Sequence, residues 1–407
     1  MGYTRETIKG ISWLGAFRLF TRALSFLRTI IIARILSPSQ FGVYGIATLL
    51  LSLIEILTET GINVFLIQKK DDIGRYINTA WIVSIIRGFL ISAVIIVSAR
   101  FVSAFFKNPE VLPLLMLISV VSFIRGFINP GVVKFQKELN FNKEFYYRSS
   151  IFLVETLVSI LFVVAMKNPI ALIYGLLAGA IFEVIISFKF IKPVPTFNYN
   201  RKFFKEIISR GKWITSAGVF GYLFQNGDNV FVGRFLGTGQ LGIYDMAYNI
   251  SMLPISEISD IVARVTFPVY AKISDDKKRL RKAYIRTSIV TILLVTPVLL
   301  LFLVFPRELI LLFLGPNWIE AENVIRVLSI LAFINILSSP TGAIFFAVGK
   351  QKYLTLLTGI SLVIMIVSII PLASAFGLVG VAISVAISSA VAFPFQLYLL
   401  IKVLSRP

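Results

Sequence analysis

The 407-residue chain is 57% hydrophobic and only 15% charged, with a mean hydropathy of +0.87. Soluble domains carry about 25% charged residues, so this is membrane composition. Cys and His are both absent, which excludes disulfides, thiolate metal sites and a cysteine nucleophile, and removes the usual zinc ligand and the commonest general base. No cofactor and no metal site are expected. The 40 Lys and Arg outnumber the 20 Asp and Glu, a balance that in a soluble protein would point to nucleic acid. Here the cations lie mostly in short loops between apolar blocks, where anionic headgroups and topology account for them. The lipid bilayer, not nucleic acid, is the expected partner.

A helix needs about 20 apolar residues to cross the hydrocarbon core. Apolar blocks of that size, separated by charged or Pro/Gly punctuation, predict twelve helices at 11–36, 41–67, 78–106, 109–133, 146–166, 169–191, 213–236, 241–270, 284–305, 321–348, 353–374 and 376–402. The first carries Arg18, Arg22 and Arg28; the apolar region of a cleavable signal would not, so it reads as a retained helix. A short apolar piece, Leu309–Leu314, precedes Gly315, Pro316, Asn317 and Trp318. It is too short to span and is expected at the membrane interface.

Basic residues alternate from loop to loop. One set of segments carries Arg5 and Lys9; Lys69, Lys70 and Arg75; Lys134, Lys137, Lys143 and Arg148; the run from Lys189 to Lys212; the run from Lys272 to Arg286; Lys350 and Lys352; and Lys402 and Arg406. The opposite set has only Arg34, Arg100, Lys107, Lys167, Arg234 and Arg307. Positive charge marks the cytoplasmic side, so both termini are expected there, in a cell (inner) membrane. The chain also repeats itself at an offset of 200. Arg34, Leu36, Gln40, Gly42, Tyr44 and Ala47 recur as Arg234, Leu236, Gln240, Gly242, Tyr244 and Ala247. Six predicted helices separate the copies, which makes the repeat parallel. The expected fold is an all-α integral membrane protein with two six-helix lobes, 1–195 and 196–407, around a central cavity.

Ionisable residues at helix centres cost about 2.5–3.5 kcal/mol each on insertion scales and normally face a bundle interior or cavity. In the first helix Arg18, Arg22, Ser25 and Thr29 share one stripe; in the second Thr48, Ser52, Glu55, Glu59 and Asn63 do. The third adds Arg87, and the fourth adds Ser122, Arg125 and Asn129 on one face. The seventh aligns Thr215, Tyr222, Asn226 and Asn229 with Asp228 beside them, and the eighth aligns Asp245, Asn249, Ser256 and Asp260. Arg28, Arg34 and Arg234, near helix ends, are expected to snorkel to the interface. The candidate cavity residues are Arg18, Arg22, Arg87, Arg125, Asn129, Tyr222 and Asn226. Arginine suits a pyrophosphate because its planar fork binds bidentately and stays charged, while the Asn and Tyr groups suit sugar hydroxyls. Glu55, Glu59 and Asp228 are candidates for charge pairing or for holding a coupling cation.

On the segments ARILSPSQFGVY (33–44), FQKELNF (135–141), DNVFVGRFLGTGQLGIYDMAYNISMLP (228–254), GPNW (315–318) and AVGK (347–350), the chain resembles the oligosaccharide flippases of the polysaccharide transport family. That family lies within a superfamily that also contains multidrug and toxin extrusion transporters. The resemblance implies two lobes around a partly cationic cavity and export of a polyprenyl-pyrophosphate-linked oligosaccharide by alternating access, without enzymatic chemistry. It also implies cavity arginines on the first helices, where Arg18 and Arg22 stand, and work alongside polysaccharide-assembly proteins. Relatives have twelve to fourteen helices, and this sequence has room for twelve.

Two other readings stay open. A cation-coupled multidrug antiporter would share the architecture, with Glu55, Glu59 or Asp228 as its ion site; clustered arginines, which repel cationic drugs, weigh against it. A membrane glycosyltransferase or polymerase would place catalytic acids in a sizeable loop, and the loops here are short and basic. Reporter fusions test the topology: those after Lys70, Arg201 and Lys277 are expected to read cytoplasmic and one after Lys107 external. An external signal after Arg201 would overturn the two-lobe arrangement.

Overall fold

Backbone N–H and C=O groups in hydrocarbon must be paired within the chain, which leaves helices as the solution for apolar blocks of this length. The computed structural model describes the backbone of residues 2–58, 61–68 and 73–405, and their side chains except at 2–12, 14, 64, 68, 208–220, 223–224 and 264. The described residues are helical with no strand. In order they form α1 (Gly2–Ala33), α2 (Pro38–Leu57), α3 (Ile62–Gln68), α4 (Gly74–Phe105), α5 (Val111–Arg125), α6 (Lys134–Lys137), α7 (Phe141–Met166), α8 (Ile170–Phe190), α9 (Arg201–Phe231), α10 (Thr238–Lys272), α11 (Lys277–Val304), α12 (Pro306–Phe313), α13 (Ala321–Ala347) and α14 (Lys352–Ser405). Among the described residues seven of these, α2, α4, α7, α8, α11, α13 and α14, are long and apolar enough to cross a membrane. The count is eight if α5 and the bent segment 130–137 form one crossing.

Three helices depart from the expected blocks, each for a local reason. The block 41–67 is broken: α2 stops at Leu57 and α3 starts at Ile62, with Gly61 between them at φ +64°, a conformation that glycine adopts without steric cost. The block 109–133 ends as an α-helix at Arg125. Asn129 is extended (φ −65°, ψ 114°) ahead of Pro130, as the residue before a proline prefers. The chain then bends by 70° into Pro130–Lys137. The last two blocks run on as α14 but are separated at Gly377 (φ +58°, ψ −133°). The piece expected at the interface forms α12, followed by a 3₁₀ turn at Pro316–Trp318 in which Trp318 is fully buried.

The chain divides into two compact units, Met1–Gly227 and Asp228–Pro407, with the division inside α9. The start of α9 belongs to the first unit, where Ile207 is buried among Ile62, Phe65, Ile77 and Val133. The second unit has cores around Tyr270, Leu280, Ile344 and Phe345, and around Ile255, Val295, Ala332 and Ile336. The repeated segment falls on an element boundary in each unit. Ser37 and Gln40 form a reciprocal cap on α2, with Pro38 in its first turn, and the Gln40 Nε2 donates to the Lys167 carbonyl at 3.0 Å. Gln240, in the first turn of α10, donates to Glu320 at 3.1 Å. The cap explains the Ser-Pro-Ser-Gln run, and both glutamines tie a helix start to a distant loop.

Small residues set the helix spacing in the first unit, as they do where hydrocarbon offers no hydrophobic drive between helices. Gly175 and Gly179 of α8 face Ser159 and Glu155 of α7, and Gly88 of α4 meets Gly126 at the end of α5. A Cβ on Gly88 would lie 2.9 Å from the Gly126 Cα. Gly88→Leu is therefore expected to destabilise the protein by about 1–3 kcal/mol, read as a lower melting temperature in detergent. Gly359→Leu, at a glycine with open space around it, is expected to leave the melting temperature unchanged.

Candidate functional site

The first unit encloses a cavity of about 800 Å³. Its walls come from α2 and α3 (Ser52, Glu55, Ile62, Asn63), α4 (Ser84, Arg87, Gly88, Ile91), and the end of α5 with the bend that follows (Ser122, Arg125, Gly126, Asn129, Val133). Gln136, Arg148 of α7 and Glu183 of α8 complete the lining named here. Ser52 and Glu55 of α2, Ser84, Arg87 and Gly88 of α4, Ser122 and Arg125 of α5, Arg148 of α7 and Glu183 of α8 each lie in the half of their helix nearest the basic segments 69–75, 134–148 and 189–212. Residues at or beside the ends of α2 and α5, Glu55 with Ile62 and Arg125 with Asn129, line the cavity.

Charge alternates around the wall. Arg87 donates from Nη2 to the Glu55 carbonyl at 2.8 Å, in the last turn of α2, and from Nε to the Thr58 hydroxyl at 3.4 Å. The Arg125 Nη1 lies 3.6 Å from the Glu55 Oε1, with both side chains about a third exposed (35% and 36%). The Arg148 Nε donates to the Glu144 Oε1 at 2.8 Å, an oxygen that also accepts from the Gln136 Nε2 at 2.7 Å. Glu183 accepts from the Tyr147 hydroxyl at 3.4 Å and interacts electrostatically with Arg125 and Arg148. The lining thus holds three arginines against two glutamates. An anion with two or more charges can displace the partly solvated Arg125–Glu55 pair and collect several guanidinium donors at once.

The structure brings together Arg87, Arg125 and Asn129 from the residues expected in a cavity, and Glu55 from those expected to pair charges or hold a coupling cation. Asn129, however, does not share a helical face with Ser122 and Arg125, because α5 has already ended. Its Oδ1 accepts from the Gly131 N–H at 2.8 Å, and its Nδ2 donates to the carbonyls of Ser187, Ile191 and Pro193 at 3.4, 3.4 and 3.2 Å. Fully buried, it ties the bend to the end of α8. Among the described residues the lining does not include Arg18, half-buried on α1, or Arg22, exposed on α1. Glu59 lies outside the described residues.

Tyr222 of α9 is buried and donates to the Leu49 carbonyl at 2.6 Å, and the Asn226 Nδ2 donates to the Tyr222 carbonyl at 3.1 Å. Asp228, in the second unit, is buried and accepts from the Tyr244 hydroxyl at 2.7 Å and from the Asn229 N–H at 2.9 Å. Thr215 has its side chain outside the described residues. Arg28 does not snorkel: its Nη1 lies 2.8 Å from the Glu155 Oε1, with both side chains largely buried (13% and 15% exposed). It bridges α1 to α7, which also pack through Trp13, Phe17 and Phe145. Reading by stripes misses Arg148, Glu183 and Gln136. The signal for Glu183 was present, since an acid in the apolar run IALIYGLLAGAIFEVII carries the same insertion cost as Glu55. Arg148 is hidden by its place beside a basic loop.

Comparison with known proteins adds the lineage. The chain is 26% identical over 406 residues, 99% of its own length and 84% of the relative's, to a Klebsiella pneumoniae protein described as an uncharacterized membrane protein in the cps region. It is 24% identical over 354 residues, 86% of its length and 72% of the relative's, to the lipopolysaccharide biosynthesis protein WzxC of Escherichia coli strain K12. Its fold matches a solved structure of the lipid II flippase MurJ in an inward closed conformation, with a TM-score of 0.77 at 18% identity, covering 97% of this chain and 89% of that one. Residues 31–323 match the family described as polysaccharide biosynthesis protein. The chain is a multi-pass membrane protein of that family.

Proposed function

We propose that this protein is a flippase that moves a polyprenyl-(pyro)phosphate-linked oligosaccharide from the cytoplasmic to the outer leaflet of the cell membrane. The observation that carries the reading is the arginine-lined cavity, which lies at the end of the first unit flanked by the basic loops. If those loops are cytoplasmic, with both termini on the same side, the cavity faces the leaflet on which such a lipid is assembled. A twelve-span layout of two six-helix lobes, 1–195 and 196–407, fits this reading, as does work alongside polysaccharide-assembly proteins.

The phosphate-bearing head is held by Arg125, which its partly exposed partner Glu55 can release, and by the exposed side of the Arg148 guanidinium while Glu144 keeps its Nε, with Arg87 steadied on the end of α2. Ser52, Asn63, Ser84, Ser122 and Gln136 offer hydroxyl and amide groups to the sugars. Arg18 and Arg22 of α1 would meet the substrate on its way rather than in this cavity. A charged head cannot cross hydrocarbon without groups that replace part of its hydration, and the cavity supplies them.

Translocation of a lipid-linked oligosaccharide in proteoliposomes tests the assignment. Arg125→Ala is expected to lower the initial rate about tenfold or more, the value of a charge-assisted hydrogen bond, with unchanged melting temperature. Arg148→Ala is expected to lower the rate similarly and also the melting temperature, because it leaves the buried Glu144 carboxylate without its guanidinium. Lysine at either position should retain part of the activity. Wild-type transport by a folded double alanine variant would overturn the assignment. Glu55→Gln separates pairing from coupling. A pairing role predicts a freed Arg125, tighter substrate binding and unaltered sodium and pH dependence; loss of that dependence would assign Glu55 to the coupling ion instead.

A further inference from the structure

The first turns of α11 carry a second concavity, a groove of about 410 Å³ along the outward face of the helix. Four cations line it, Lys278, Arg281, Lys282 and Arg286, and three apolar side chains continue it, Ile285, Ile289 and Val290. All seven are exposed. Their spacing of three and four residues keeps them on one stripe, while the opposite face, through Leu280, packs into the core with Tyr270, Ile344 and Phe345. The nearby acid is used elsewhere. Asp276 caps α11 by accepting from the Arg279 N–H at 3.0 Å and pairs with the Arg279 guanidinium at 3.2 Å, and Lys277 is turned back onto the Ser274 carbonyl at 2.8 Å. Among the described residues none of the four stripe cations is in an ion pair.

Like charges three and four residues apart on a helix repel one another, so the stripe is stabilised by an anion that sits among them. Positions 281–286 cover about 8 Å of helix axis, close to the depth of one headgroup layer, about 5–8 Å from the difference between full and hydrocarbon thickness. Beyond them the stripe is apolar through Ile289, Val290 and Leu293, the last 67% exposed. Cation above and hydrocarbon below, on one continuous face, is the profile of a phospholipid. We propose that this groove is a binding site for an anionic glycerophospholipid, its phosphate among Arg281, Lys282 and Arg286 and an acyl chain along Ile289, Val290 and Leu293. The site is separate from the cavity of the first unit and does not depend on what that cavity transports.

Native mass spectrometry of the purified full-length chain, titrated with phosphatidylglycerol or with phosphatidylcholine, tests it. The wild type is expected to bind phosphatidylglycerol at least about tenfold more tightly, since each basic residue near an anionic headgroup contributes a factor of about five. Arg286→Gln should weaken it about fivefold and the Arg281→Gln, Arg286→Gln double variant about 25-fold. Lys189→Gln with Lys192→Gln removes as many charges from another basic segment and should leave binding unchanged. Equal losses in the two double variants, or no preference for phosphatidylglycerol in the wild type, would overturn the proposal. Should the double variant fail to fold, the single Arg286→Gln variant with a wild-type melting temperature decides. A polyprenyl pyrophosphate that displaces phosphatidylglycerol and binds more tightly would also overturn it, by giving the groove to a different lipid.

Discussion

A fixed charge inside a low-dielectric slab must be neutralised by a partner or kept in contact with water, and most of what distinguishes the first unit follows from this. Its helices carry arginines and glutamates at depths where each alone is costly. The chain answers in two ways. Where α1 meets α7, Arg28 and Glu155 close into a short, largely buried pair. Where α2, α4, α5, α7 and α8 converge, the charges instead surround a space large enough for water or a ligand.

That space is lined by residues at two places where helices stop. Two apolar blocks are long enough to continue as helix, but Gly61 breaks one and Asn129–Pro130 the other. Once broken, the ends need partners for their free carbonyls, and the cavity side chains supply them. Arg87 takes up the end of α2, while Asn129 fastens the bend after α5 to the end of α8. Close packing at Gly88 and Gly126 holds α4 and α5 together just at the mouth of this break. The same residues therefore complete the backbone and shape the site, and a substitution there tests both.

The fold class was plain from hydropathy, because hydrocarbon admits few solutions for a chain this apolar. Most helix positions followed from the spacing of apolar blocks, and the repeat at offset 200 marks a helix boundary in both units. Less legible were the breaks inside blocks. Hydropathy averages over Gly61 and over the Ile128–Pro130 run, although the Asn-Pro pair was a readable signal. Of the residues lining the cavity, Glu55, Arg87 and Arg125 stand out in the sequence by insertion cost, Glu55 and Arg125 also by their helical stripes. Arg18 and Arg22 were grouped with them because a stripe gives the face of a helix but not what that face meets. Arg28 was misread for a related reason: nearness to a helix end favours snorkelling only when no acid lies across the helix interface, and Glu155, 127 residues away in sequence, could not be paired with it from one sequence.

The contrast between two ion pairs of the first unit, Arg28 with Glu155 and Arg125 with Glu55, bears on which arginines are available to a ligand. Arg28 and Glu155 meet at 2.8 Å with about one seventh of each side chain exposed. Removing either would leave a buried charge unpaired, at a cost of about 3–5 kcal/mol, so this pair cannot open during a transport cycle without a comparable penalty. Arg125 and Glu55 stand 3.6 Å apart with about a third of each exposed, beyond hydrogen-bonding distance. A pair of that kind contributes about 0–1 kcal/mol, so an entering phosphate can take the guanidinium at little cost. Its carboxylate then regains Arg125 when the ligand leaves. Weak pairing at the cavity wall and strong pairing at the helix interface are thus two uses of one chemistry, separated by how much water each pair can reach.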